Sequence, residues 1–255
     1  MHSLWPSEIF SSTGLLIALV KCRPFTTMSE VEVNQWDEFS QFLFCERKFI
    51  DLIATNGELL EVFMFAIGWR KFNTKNEQFG LYGSLRKIEN AKDEWRNQGP
   101  NVSLVGCILG QSLGYVGDKL FKKIQTCYKS LGVASFDQVN YEADISANSG
   151  ALEFAPAITF TMNGFKNSPH LDKDALLYAS GWWFQADTRT GPIQRDASKW
   201  CTGGKLIFPN ENFWIDLSKS YGLIQIVWAI STFVHYTYPA HENESTTLLG
   251  MSTQY

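Results

Sequence analysis

The sequence predicts an α+β fold, with a mainly helical region over residues 1–149 packed on a strand-rich core over residues 150–255. Three observations predict it. Through the first part, apolar residues recur at the three- and four-residue spacing of amphipathic helices. After Gly150 the period drops to two, as in half-buried strands. Turn-forming residues then appear at close intervals, which is the pattern of a β-sandwich or jelly roll.

The elements follow in order. Gly14–Val20 is apolar, far too short to cross a bilayer, and follows Glu8 rather than a basic stretch. It reads as a buried strand, neither a membrane span nor a signal peptide. Ser29-Glu30-Val31-Glu32 fits a capping box. The helix it opens carries Trp36, Phe39, Phe42 and Leu43 on one face, continues through Phe49, Ile50 and Ile53, and stops at Asn56-Gly57. Residues 58–69 form a second helix candidate, with 72–76 as a polar connection. Residues 84–97 form a third, with Leu85, Ile88, Ala91 and Trp95 on one face and Gly99-Pro100 as its end. Residues 103–131 are apolar and helical in period, although Gly106, Gly110, Gly114 and Gly117 argue against one uninterrupted helix.

Seven strand candidates come next, over 157–162, 176–185, 205–208, 213–217, 223–228, 233–238 and 246–252. Asn163-Gly164, Thr190-Gly191-Pro192, Gly203-Gly204, Pro209-Asn210 and Ser220-Tyr221-Gly222 separate them. Gly203-Gly204 reads as a turn that needs unusual backbone angles. Trp182, Trp183 and Trp228 read as core.

Composition excludes several classes. The chain has 255 residues, 45% hydrophobic, with 9 Trp, enough for one large domain or a core domain with a helical attachment. The net charge is -4, and neither half has the basic excess of a nucleic-acid footprint. The 5 cysteines are scattered and form no C-x-x-C pair, which reads as reduced intracellular thiols, with Cys201 a bystander. Under that reading the sequons at Asn101 and Asn243 are chance matches.

The chemistry is carried by His170-Leu171-Asp172 and the distant His235. Two histidines and one carboxylate on one face of a first-row metal leave the other face open, as in the facial triad of non-haem Fe(II) oxygenases. His170 and Asp172 are two apart, so on extended backbone they share a face. His235 falls in a later strand, and a jelly roll can bring early and late strands together at one mouth. Asp174 is an alternative carboxylate, and His241, in a segment that reads as an exposed loop, is an alternative distal histidine.

An ordered series surrounds these residues: Phe165, His170-Leu-Asp172-Lys-Asp174, Gly181-Trp182-Trp183, Gly203-Gly204-Lys-Leu-Ile-Phe208-Pro209, Ile215-Asp216-Leu217, and Val227-Trp228 through His235-Tyr-Thr237. It resembles the Tet-like 2-oxoglutarate/Fe(II) oxygenase domain of fungal genomes, and Arg23-Pro24-Phe25-Thr-Thr-Met28 is similar to that family's lead-in. The resemblance implies a double-stranded β-helix with N-terminal helices packed against it. It also implies His170, Asp172 and His235 as ligands of Fe(II), 2-oxoglutarate as co-substrate chelating the metal, and a relation to enzymes that oxidise methylated pyrimidines.

One position departs from the family pattern. The distal carboxylate of 2-oxoglutarate needs a cation, and Leu248 stands where an arginine is expected before Gly250-Met251-Ser252; no Lys or Arg follows Lys219. Leaving a carboxylate unpaired in a dry pocket is costly. Lys205 is the first candidate substitute, with Arg189 and Arg195 behind it.

Three functions compete. The first is a 2-oxoglutarate-dependent dioxygenase whose substrate is a modified nucleobase. The second is a degenerate jelly roll that binds metal or ligand without turnover, and the third is a cupin-type metalloenzyme that does without 2-oxoglutarate. Lys166, Lys173, Arg189, Arg195 and Lys199 decide the nucleic-acid question by their placement. Lining one rim of the metal site would favour DNA; scattering, which so few cations among carboxylates suggest, would favour a small substrate.

Overall fold

A computed structural model of the chain describes residues 7–53, 63–70, 80–130, 132, 134–138, 152–219 and 221–254. In chain order the elements are β1 (Ser7–Phe10), β2 (Leu16–Pro24), α1 (Glu30–Glu46), β3 (Phe63–Arg70) and β4 (Gly80–Leu81). Then come α2 (Leu85–Asn90), α3 (Lys92–Arg96), α4 (Gly99–Val116), α5 (Asp118–Ser130) and β5 (Ala157–Met162). The chain closes with β6 (Tyr178–Asp187), β7 (Thr202–Phe208), β8 (Phe213–Asp216), β9 (Gly222–Ala229), β10 (Tyr236–His241) and β11 (Thr246–Gln254).

The strands form two antiparallel sheets. The larger runs β1-β2-β9-β6-β11-β5-β3-β4 and the smaller β10-β7-β8. Alternation along the strands gives the large sheet two different apolar faces. Trp182 and Phe184 of β6, Leu223 and Val227 of β9, and Leu249 and Met251 of β11 pack outward against Trp36 and Phe39 of α1 and Val105 and Leu109 of α4. Trp183, Ile224, Ile226, Trp228 and Leu248 point inward against Leu206, Phe208 and Ile215 of the small sheet. The result is a jelly roll with helices on one side.

Local chemistry accounts for α1. Ser29 Oγ accepts from the Glu32 N–H, and the Glu32 carboxylate accepts from the Ser29 N–H, so the expected capping box is present. The helix ends at Glu46 and not at Asn56-Gly57, which lies outside the described residues. Phe49 and Ile50 are buried beyond the helix, and the Ile53 N–H donates to the Met64 carbonyl, tying this segment to β3.

The second helix candidate is overturned where it is described. Residues 63–70 form β3, paired in register with β5 from Phe63↔Met162 to Gly68↔Ala157. A short apolar run does not separate strand from helix by period; here the stacked Phe65 and Phe160 rings, 5.1 Å apart, belong to the sheet. The third candidate is two short helices, broken at Ala91 (φ -137, ψ 42). Gly99-Pro100 begins α4 instead of ending its predecessor, because a proline in the first turn sacrifices no helix hydrogen bond. The interruption expected over 103–131 occurs at Gly117, between α4 and α5.

All seven late strands form within a few residues of their expected limits, and residues 14–20 lie in and beside β2. β1 to β4 extend the large sheet from the chain before residue 150. Among the described residues no helix is long and apolar enough to cross a membrane.

Candidate metal centre

His170 and His235 face each other as an isolated antiparallel bridge. Each backbone N–H donates to the other's carbonyl, at 3.1 and 3.0 Å. That pairing brings residues far apart in sequence into ring contact, with centroids 4.7 Å apart. The Asp172 N–H donates to the Ile230 carbonyl at 3.1 Å, which fixes the carboxylate beside them. Asn167 ties the same segment down: its Oδ1 accepts from the Thr237 N–H at 2.6 Å.

The donor atoms converge. One atom from each of His170, Asp172 and His235 lies within 4.8 Å of the other two. His170 Nε2 is 3.4 Å from Asp172 Oδ1, and His235 Nε2 is 3.4 Å from Oδ2. Each ring places Nδ1 against a backbone carbonyl two residues earlier: His170 on Ser168 at 2.8 Å and His235 on Phe233 at 3.0 Å. Donation from Nδ1 leaves the Nε2 lone pair of a neutral ring pointing at a carboxylate. Two lone pairs and an anion repel unless something positive lies among them, so this donor set fits a metal cation.

The electrostatics are consistent with that need. Where protons take the cation's place on the two Nε2 atoms, burial still pushes the Asp172 carboxyl up, but hydrogen bonds accepted from His170 and His235 outweigh it and hold the group well below the usual carboxylate range. The Asp172 hydrogen bond raises His170 above its ordinary value, against a smaller opposing effect of burial. His235 is buried, whereas His170 and Asp172 remain partly open at the mouth.

The triad opens into a cavity of about 670 Å³ between the sheets. Trp183, Trp228, Leu206 and Met64 supply apolar wall, and Thr159, Thr161, Thr237 and Ser252 supply hydroxyls. Thr159 Oγ1 and Ser252 Oγ lie 2.9 Å apart across β5 and β11. The Trp228 indole N–H is buried without a partner among the described residues. Trp182 is core, donating to Ser112 Oγ of α4 at 3.0 Å, but Trp183 and Trp228 serve both core and cavity. The hydroxyl wall was readable only from the alternation in Ala157-Ile-Thr-Phe-Thr-Met162, which puts Thr159 and Thr161 on the face opposite Ile158 and Phe160.

The other expected residues separate clearly. Asp174 lines the cavity, whereas His241 sits at the far end of β10, opposite Thr202, and does not. Lys205 points away from the cavity: its Nζ lies over the Trp214 ring, 4.9 Å from the centroid, while its neighbour Leu206 faces in. Leu248 is buried in the inner core. Gly203 and Gly204 have the expected positive φ (76° and 73°), but they lie inside β7, and a side chain at Gly204 would strike Leu248. Arg195 pairs with Asp37 and Lys199 with Asp196, and the Arg189 backbone closes a turn on Asp187. Of the described lysines and arginines, Lys166 alone lines the cavity.

A jelly roll with two histidines and a carboxylate gathered at one mouth defines the class of double-stranded β-helix proteins with a facial-triad donor set. The chain belongs to the Tet-like 2OG-Fe(II) oxygenase superfamily, whose pattern it matches over residues 29–240. Among solved structures it is similar to NgTET1 in complex with 5mC DNA (10% identity, 98% of this chain and 75% of that one, TM-score 0.46). It is also similar to a 2OG-Fe(II) oxygenase family oxidoreductase from Burkholderia pseudomallei (10% identity, 93% and 85%, TM-score 0.42) and to OsALKBH1 (9% identity, 98% and 100%, TM-score 0.42). No curated protein matches the sequence.

Proposed function

We propose that this chain is a non-haem Fe(II)/2-oxoglutarate-dependent dioxygenase in which His170, Asp172 and His235 bind the metal. The observation that carries the reading is the pair of Nε2 atoms, fixed by Nδ1 contacts to backbone carbonyls, that face one carboxylate. With iron bound, such a centre supplies oxidative decarboxylation of 2-oxoglutarate coupled to oxidation of a substrate C–H bond. The protein's own part is to hold the three donors, orient the co-substrate and keep water from the inner wall. The distal carboxylate of 2-oxoglutarate falls to Lys166 and the hydroxyls of Thr159, Thr161 and Ser252, because Lys205 and Leu248 do not line the cavity. The buried indole N–H of Trp228 is a further donor for a bound ligand.

A modified nucleobase is the substrate class that the family suggests. The described cations do not form a track beside the mouth, which favours a single nucleotide or another small molecule over duplex DNA. The buried Leu248 supports a second reading, a domain that holds metal without turnover.

Succinate formation from 2-oxoglutarate under Fe(II) and dioxygen separates the two. The dioxygenase reading expects turnover, stimulated by methylated nucleosides and lost in Asp172→Ala. Metal binding with no succinate would establish the second reading instead.

A further inference from the structure

A second concavity, about 830 Å³ in volume, lies on the other side of the large sheet. Its walls come from the end of β2, the start of α1, Tyr115 near the end of α4, and the segment 195–200 with Tyr221. β9 measures its distance from the metal centre. Gly222, paired with Pro24, is at the cleft end, and Trp228, six residues on, lines the metal cavity, so about 20 Å of strand separates them.

Two kinds of group converge there. Lys21 and Arg23 are two apart on β2 and share the face that α4 covers, as their neighbour Gln225, bonded to the Ser112 carbonyl at 2.9 Å, shows. The Lys21 ammonium donates to the Tyr115 carbonyl at 2.8 Å, and no carboxylate of the described residues pairs with it. The Arg23 guanidinium sits 5.3 Å from the Tyr115 ring centroid and 2.6 Å from Glu32 Oε1. That carboxylate is also bound to Ser29 in the capping box, so its charge is shared. Arg195 adds a third cation, paired with Asp37. Burial and the neighbouring Arg23 both press the Lys21 ammonium below its ordinary value, a repulsion that a bound anion would relieve.

Facing these cations is an aromatic wall. Trp200 is held in place by its indole N–H, which donates to the Gln194 carbonyl at 2.7 Å. Tyr221 leans on it with centroids 5.3 Å apart, although it is exposed and adopts a left-handed backbone conformation (φ 54). A fixed indole plane beside Lys21, which no described carboxylate pairs, and Arg23, only partly neutralised by the shared Glu32, suits a planar base joined to a phosphate, since stacking and phosphate contact act together. The volume suits one such unit.

We propose that this cleft is a second ligand site, separate from the candidate metal centre, that binds a nucleoside phosphate with its base stacked on Trp200 beside Tyr221 and its phosphate at Lys21 and Arg23. The site does not depend on the metal chemistry. The same chemistry could arrive as a free nucleotide or as one unit of a single strand.

Calorimetric titration of the full chain, treated with chelator, tests it with adenosine monophosphate, adenosine, inorganic phosphate and a short single-stranded oligonucleotide. Saturable binding of the monophosphate is expected, with adenosine and phosphate each at least tenfold weaker. Lys21→Gln and Trp200→Ala should each weaken it at least tenfold, and Trp200→Phe should retain most of it. Oligonucleotide binding that exceeds the monophosphate's, and depends on the same two residues, would assign the strand as source. Lack of saturable binding overturns the proposal. So does affinity unchanged in folded Lys21→Gln and Trp200→Ala, which would place any bound nucleotide outside this cleft. If Trp200→Ala does not fold, Lys21→Gln alone decides.

Discussion

His170 and His235 are hydrogen-bonded cross-strand partners, each backbone N–H donating to the other's carbonyl at 3.1 and 3.0 Å. The geometry of the candidate metal site is therefore set first by main chain and only then by side chains. Register fixes which residues meet, and the Nδ1 contacts to Ser168 and Phe233 fix which nitrogen each ring presents.

The co-substrate anchor gives the first prediction. If Lys166 meets the distal carboxylate, Lys166→Ala should raise the dissociation constant for 2-oxoglutarate at least tenfold, about 1.4 kcal/mol. Lys205→Ala should leave it unchanged, because that ammonium rests on Trp214 outside the cavity. Equilibrium titration of the iron-loaded protein measures both, and the reverse pattern would restore Lys205 as anchor.

Gly250 gives the second. A Cβ there would lie 2.5 Å from Trp183 Nε1 and 3.0 Å from Thr161 Oγ1. Neither neighbour can retreat easily, since Trp183 is packed against Trp228 with centroids 5.9 Å apart. Gly250→Ala should destabilise the fold by about 1–3 kcal/mol, the usual range for overpacking a core. Chemical denaturation reads this out, and an unchanged midpoint would mean that the cavity wall is more pliant than its packing indicates.

Glu46 gives the third. It is the last residue of α1, 2% exposed, with Oε1 unpartnered among the described residues. Burial pushes its carboxyl up to about 8, and a helix C-terminus also disfavours an anion. The folded state thus holds a proton that the unfolded chain releases near its ordinary 4.5. Stability from this group is fully present below that value and is lost as pH rises to about 8, by up to about 1.4 kcal/mol per pH unit. Glu46→Gln should flatten that slope. Unfolding midpoints at pH 5 and pH 8 that shift in parallel for both proteins would contradict the assignment.

Much of this arrangement was legible in the sequence, and the failures have physical causes. The seven late strands were readable because alternation and turn chemistry agree, and the convergence of His170, Asp172 and His235 because their spacing suits extended backbone. Residues 63–70 misled because a run such as Phe-Met-Phe-Ala-Ile suits either element until its partner strand is known. The direction of the Lys205 side chain was not legible for a different reason: a positive-φ pair precedes it at Gly203 and Gly204 inside β7, so where it points was not fixed by counting from the turn. Thr159, Thr161 and Ser252 went unnoticed because hydroxyls in strands are common and only the fold shows that they share one wall.

The most direct test of the central claim is an anaerobic Fe(II) titration with and without 2-oxoglutarate, followed by the weak visible charge-transfer band of the chelate. Wild-type protein should develop the band only when both are present, saturating at one iron per chain, and Asp172→Ala and His235→Ala should lose it. A wild-type protein that shows no band, or variants that keep it at full intensity, would contradict the assignment of His170, Asp172 and His235 as the metal centre.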